Sequence, residues 1–225
     1  GIMMQMAEEG AVVSIVWFKS SCLRIEDHAA LLTAHRESTV VLHVFVFDDR
    51  LLLSTSQFGM KRISAVRHRF LLESLYALEK DIQASGSALL IREGQVEQVI
   101  PEVARRIGAH RVYTNKDVCP EEQKLDNAVK SSLPSGCELV GLWCHLLLGP
   151  DALPFQLDEL PAVFTPFRKT VENLEPPSPV PVPEIWRPQP SSTKAGGLAR
   201  GLPGTGTLSA PSAPEAGAGG GGGEG

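Results

Sequence analysis

Two stretches near the amino end are apolar at almost every position. Ala11–Phe18 reads AVVSIVWF and Val40–Phe47 reads VVLHVFVF, both rich in β-branched residues. Unbroken rather than alternating apolarity predicts strands buried on both faces, as in a parallel sheet. Ser87–Glu93, Arg111–Asn115 and Cys137–Trp143 predict three more strands.

Between these runs the apolar positions recur at helical spacing. Asp27 stands where an N-cap would open a first helix, with Ala30, Leu31 and Ala34 on one face. The longest segment, KRISAVRHRFLLESLYALEKDIQASG, places Phe70, Leu71, Leu75, Leu78 and Ile82 in a stripe and ends at Gly86. Val96, Val99, Ile100, Val103 and Ile107 mark a third helix that stops at Gly108, with Val99, Val103 and Ile107 toward the sheet. Pro120, a favoured first-turn residue, opens a fourth. Strand–helix alternation repeated four times and closed by a strand predicts an α/β fold. The expected form is a Rossmann-like, doubly wound, five-stranded parallel sheet with helices on both faces.

Composition bounds this domain. Gly196–Gly225 is nearly all Gly, Ala, Pro, Ser and Thr. Such a segment cannot bury enough apolar surface to offset its ordering entropy. The expected organisation is a disordered start over 1–10, an α/β domain over 11–160, a Pro-rich connector over 161–190 and a disordered low-complexity tail over 191–225. A formal net charge of −5 over 225 residues argues against holding nucleic acid by bulk electrostatics. Cys22, Cys119, Cys137 and Cys144 form no C-x-x-C pair, which predicts reduced thiols in an intracellular protein. No apolar run approaches the roughly 20 residues of a membrane span. The start, GIMMQMAEEG, has neither the order of a secretory signal nor the Arg and Ser richness of a transit peptide.

The generic motifs of such sheets are missing. The turn after the first strand, WFKSSCLRIED, has no glycine, so no backbone cradle for a pyrophosphate forms there. Asp48 and Asp49 follow the second strand where a dinucleotide enzyme would hold a ribose; without the glycine turn they cap or solvate a loop. No Walker loop, G-x-S-x-G elbow or Cys/His metal cluster is present.

Several segments in order resemble the N-terminal domain of the photolyase/cryptochrome family. VSIVWFKSSCLRIEDHAAL is similar to the family opening, VLHVFVFDDR to its second strand and FGMKRISAVRHRFLLESLYALEKDI to its long-helix segment. LPFQLDELPAVFTPFRKTVE, with the Pro-rich run after it, resembles the DASH cryptochromes where the first domain hands over to the second. The resemblance runs from Val12 to Pro190. One departure is KSSCLR: Cys22 stands where the family has an acidic residue before Leu-Arg, the loop is one residue longer, and Lys19 replaces the usual Arg.

The resemblance implies a function in blue-light sensing or light-driven repair of pyrimidine dimers. FAD and DNA would be bound by a second, all-helical domain, which is not expected among these residues. The chain is therefore not expected to catalyse that reaction alone. It is expected to serve as an antenna-type domain that binds a folate, methenyltetrahydrofolate, and docks on a helical photolyase domain. Glu122, with Glu121 beside it, falls where the family places a carboxylate that hydrogen-bonds the folate. The same PEE sequence also reads as an acidic first helical turn favoured by the helix dipole. For the basic run Lys61, Arg62, Arg67 and Arg69, a phosphate partner, a solvated face and a later helix start all stay open. Phe167, Arg168 and Lys169 would pack on the second domain or fold back on the first. A free regulatory or binding module and a non-functional truncated product are the alternatives.

Overall fold

The structure is a computed structural model, and it describes residues 10–48, 50 and 59–190. Apart from Gly10, the segments expected to be disordered lie outside the described residues, as does Asp49.

The sheet contains β1 (Val13–Phe18), β2 (Val40–Phe47), β3 (Leu89–Glu93), β4 (Arg111–Asn115) and β5 (Glu138–Leu142). All pairings are parallel and the order is β3-β2-β1-β4-β5. Helices α1 (Ala29–Glu37), α2 (Ala65–Ala84), α3 (Val96–Ile107) and α4 (Pro120–Ser132) alternate with the strands.

The two apolar runs are explained by two cores. Val16 and Phe18 of β1, with Val41, Phe45 and Phe47 of β2, face a core shared with α1 and α2. The intervening Ile15, Trp17, Leu42, Val44 and Val46 face a second core with α3 and α4. Successive side chains of a strand point to opposite faces, so only a strand covered on both sides can be apolar throughout. β5, at the edge, has no fully buried residue, and its sequence signal is correspondingly weaker.

Helix boundaries show where local sequence misleads. Leu71, Leu75, Leu78 and Ile82 of α2 are buried, but Phe70 is 69% exposed. One residue along a helix turns the side chain by about 100°, which carries Phe70 off the stripe. α2 begins at Ala65 with Ser64 as its cap, so Lys61 and Arg62 precede the helix and meet no dipole penalty. In α3, Val96, Val99, Ile100 and Val103 are buried and Ile107 packs at the rim of the same core. Gly108 ends this helix at φ 62°, a conformation that glycine adopts without cost.

Asp27 is not the cap of α1. His28 takes that place, its Nδ1 accepting from the Leu31 N–H at 3.1 Å. Asp27 sits at φ 48° and exchanges hydrogen bonds with Val180. That contact belongs to a strap, residues 180–189, which returns across the domain. The Val41 N–H donates to the Pro188 carbonyl, and the Trp186 ring lies 4.8 Å from His35 and 5.5 Å from His43.

Between β5 and the strap lies α5 (Phe164–Val171), which has no buried residue. Phe167 folds back only as far as its neighbours, with ring centroids 6.2 Å from Phe155 and 6.2 Å from Phe164. Arg168 pairs with Glu172 one turn on, at 3.4 Å.

Candidate functional site

The strand order has one reversal. The chain steps outward from β1 to β2 and β3, then crosses back to place β4 on the other side of β1. The loops leaving β1 and β4 diverge, and such a switch point at the carboxyl ends of the strands is where open α/β sheets bind ligands.

In this structure that crevice is occupied by a buried ionic cluster. Lys19, one residue past β1 and 8% exposed, places its Nζ 3.0 Å from Asp117 Oδ2 and 2.7 Å from Asp126 Oδ1. The same ammonium lies 4.9 Å above the Trp17 ring. Asp117 also accepts from Ser21 Oγ at 3.3 Å and from Asn115 Nδ2 at 3.3 Å, and His145 Nε2 lies 3.4 Å from its other side. Burial raises the Asp126 carboxyl above its ordinary value, opposed by Lys19 and reinforced by the nearby Asp117 and Glu122 charges. The buried Oδ1 of Asn115 has no hydrogen-bond partner.

Glu121 and Glu122 open α4 on the wall of this crevice, and the structure separates them. Glu121 turns to Arg62 and forms an ion pair with it. Glu122 makes no hydrogen bond or ion pair among the described residues. It stands four residues before Asp126, one turn away on the same helix face, and its charge reaches that carboxylate. The basic run is divided in the same way: Arg62 serves Glu121 and Arg69 pairs with Glu73 at 2.8 Å. Arg67 gives its backbone N–H to the Ser64 cap.

Asp48 is engaged as a structural anchor. It accepts from Arg50 Nε at 2.8 Å and from the Arg50 backbone N–H at 2.9 Å, while Arg50 also bridges to Glu97 at 2.8 Å. Burial works against the Asp48 charge, but the Arg50 bonds outweigh it and hold the carboxyl below its ordinary value. A hollow lined by Ala104, Gly108, His110, Pro134 and Gly136 lies at the opposite, amino end of the sheet, away from this chemistry.

Sequence reasoning found the turn after β1 and the glutamates, but missed Asp117, Asp126, Asn115 and His145. The signal was the polar run TNKD closing β4, which becomes informative only once β4 is known to lie beside β1.

A sequence model of the family described as DNA photolyase matches residues 14–184. The chain belongs to the DNA photolyase family. Among curated members it is 36% identical over 180 residues to the rice (Oryza sativa) protein named Cryptochrome DASH, chloroplastic/mitochondrial, covering 73% of this chain and 31% of that one. It is 36% identical over 160 residues to Cryptochrome DASH of Synechocystis, covering 71% and 32%. The solved Synechocystis cryptochrome superposes with a TM-score of 0.75 at 31% identity, over 80% of this chain and 37% of that one. An archaeal photolyase from Sulfolobus tokodaii, described as holding two FAD molecules with the implication of a novel light-harvesting cofactor, has a TM-score of 0.61 at 25% identity. That match covers 76% of this chain and 37% of the photolyase. The chain thus spans about a third of the length of the photolyase-family relatives it matches. Among the described residues no helix is long and apolar enough to cross a membrane.

Proposed function

We propose that these residues form the antenna module of a DASH-type cryptochrome or photolyase, binding a folate-class chromophore at the crevice wall and docking on a helical, FAD-binding domain. The observation that carries the reading is the contrast between the two glutamates. Glu121 is neutralised by Arg62, whereas Glu122 keeps an unpaired carboxylate beside the switch point. A carboxylate is acceptor-only, so it suits the adjacent N–H donors of a pterin edge. The orphaned Oδ1 of Asn115 is a second acceptor at the same crevice. Methenyltetrahydrofolate, when bound, would absorb light and pass the excitation to the flavin; the role of this chain is to hold and orient it.

A module of this kind would share its ligand and an interface with the second domain. Leu157, Leu160, Val163 and Phe164, at and before α5, are each at least half exposed. Exposed large apolar side chains close together in the chain suit an interaction face. The activity of the assembled protein, blue-light sensing or repair of pyrimidine dimers by electron transfer from reduced FAD, would reside with the flavin. DNA would be reached through the helical domain.

Titration of methenyltetrahydrofolate followed by fluorescence tests the reading. A hydrogen bond to a charged group contributes about 1.5–3 kcal/mol, so Glu122→Gln should weaken binding roughly 10-fold to 100-fold. Glu121→Gln should change it little. Equal losses in the two variants would leave only an acidic helical turn, and absence of binding by the parent chain would remove the antenna role from it.

A further inference from the structure

One continuous run of hydrogen bonds ties the end of the returning strap to the domain. The Arg187 N–H donates to His35 Nδ1 at 2.9 Å. A neutral imidazole that accepts at Nδ1 carries its proton on Nε2, and that N–H donates to His43 Nε2 at 3.0 Å. His43 then carries its proton on Nδ1 and donates to Ser87 Oγ at 3.2 Å. Ser87 Oγ also accepts from Gln189 Nε2 at 3.2 Å. The run starts on the strap, passes through α1, β2 and the turn before β3, and ends on the strap two residues later. Both rings are buried, with the Trp186 ring against each.

We infer that the strap is an acid-released latch: a proton taken up by the His35–His43 pair frees residues 180–189 while the sheet beneath stays folded. Each ring has one lone pair, and an N–H group already occupies it. A proton on His35 Nδ1 displaces the Arg187 N–H, which is the strap itself. A proton on His43 Nε2 sets two N–H groups against each other and breaks the run at its middle. The charged or titratable groups facing the pair are Arg187 on the strap and His28 at the head of α1. β1 presents the neutral Phe18, and the turn before β3 presents the neutral Ser87. No carboxylate bonds either ring among the described residues, so nothing offsets a positive charge there. Burial, then Arg187, holds His35 down at about 4 in the docked strap; burial, then His35, holds His43 at about 3. Released rings return toward the ordinary 6.5. Docking is therefore strongest above 6.5 and weakens as pH falls from there toward 4. The strap's other ties, from the Val41 N–H to the Pro188 carbonyl and from the Val180 N–H to Asp27, leave the pairing between strands untouched when they open. That makes a local opening possible without loss of the core.

Hydrogen–deuterium exchange of the full chain at pH 7, 6 and 5, corrected for the intrinsic pH dependence of exchange, reads the latch. Peptides covering residues 180–189 should lose protection roughly tenfold per pH unit for each histidine protonated on release. Peptides from β1 and β4 should keep theirs. His35→Gln removes the lone pair that meets Arg187 and should flatten this dependence. Asp27→Asn removes the other titratable group that bonds the strap and should leave the dependence in place. If His35→Gln does not fold, NMR of the ring nitrogens in the parent decides: His35 and His43 should gain protons at the pH where the strap loses protection. Rings protonated beneath a strap that stays protected would overturn the inference. So would protection constant from pH 7 to 5, or lost only together with that of β1 and β4. A dependence that vanishes in Asp27→Asn, or survives unchanged in folded His35→Gln, would overturn it equally.

Discussion

Lys19 with its two aspartates and His35 with His43 are both polar groups buried inside this domain, yet they are kept there in different ways. The first cluster is ionic. One ammonium faces two carboxylates, Asp117 and Asp126, each held within 3.0 Å. The second is neutral. The His35 Nδ1 accepts from the Arg187 N–H at 2.9 Å, so its Nε2 donates to His43 Nε2 at 3.0 Å, and His43 Nδ1 donates to Ser87 Oγ at 3.2 Å. Each ring then has one proton and one lone pair, both used. Burial, followed by the neighbouring Arg187, lowers His35 to about 4. Burial, followed by His35, lowers His43 to about 3. The ionic cluster fails when its one positive charge is removed, and the neutral one when a charge is added.

The largest effect should come from Lys19→Met. The methionine fills similar space but leaves two carboxylates facing each other in a site that is largely closed to water. Breaking a buried ion pair from one side costs about 3–5 kcal/mol. Chemical denaturation at neutral pH measures it. A loss below about 1 kcal/mol would show that water already screens the cluster.

Acid should strike the histidines next. Both folded values lie below the ordinary 6.5, so the folded state binds fewer protons than the unfolded chain. Their contribution is fully present above 6.5 and is lost as pH falls from there toward 4, amounting to about 2 kcal/mol for one histidine at pH 5. Trp186→Ala sharpens this. Its ring covers both imidazoles, so truncation should cost about 2 kcal/mol at pH 7 and open the pair to water. The variant's stability should then vary less between pH 7 and 5 than the parent's. An undiminished slope would place the acid-sensitive group elsewhere.

These clusters also mark where the sequence stopped being readable. The five strands and four main helices were legible, because a doubly covered sheet forces unbroken apolarity and an amphipathic helix forces a stripe. Lys19 could be seen as the first polar residue after β1, but its partners lie 98 and 107 positions away and are supplied by topology. His35 and His43 stood in the sequence as scattered histidines. Only the fold of α1 against β2, and a strap returning from residue 186, turns them into a pair. Asp27 looked like a cap because Asp is a common one, and nothing local announces that Val180 claims its backbone and carboxylate instead. Of the candidate site, the two glutamates were readable but the difference between them was not, since Arg62 lies 59 positions from Glu121.

The smallest effect tests whether the ionic cluster is a pair or a triad. Asp126→Asn removes the carboxylate whose charge burial disfavours most clearly. With one ammonium against two carboxylates, the cluster carries a net charge of −1 by simple count. The variant would bring it to zero while Lys19 keeps Asp117 at 3.0 Å. The amide oxygen can still accept from the ammonium, and its NH₂ exchanges an acceptor for a donor near Glu122. Loss of Coulomb attraction and relief of desolvation then oppose each other, and the net change in unfolding free energy should stay within about 1 kcal/mol of zero. Because the Asp126 carboxyl is raised, its charge costs stability as pH climbs through the folded value, so the parent should lose that increment above the carboxylate range and the variant should not. Denaturation of parent and variant at pH 5 and 7 reads both. A loss as large as that of Lys19→Met would mean that the three charges act as one unit, and that the crevice is closed by the whole cluster rather than by the Lys19–Asp117 pair.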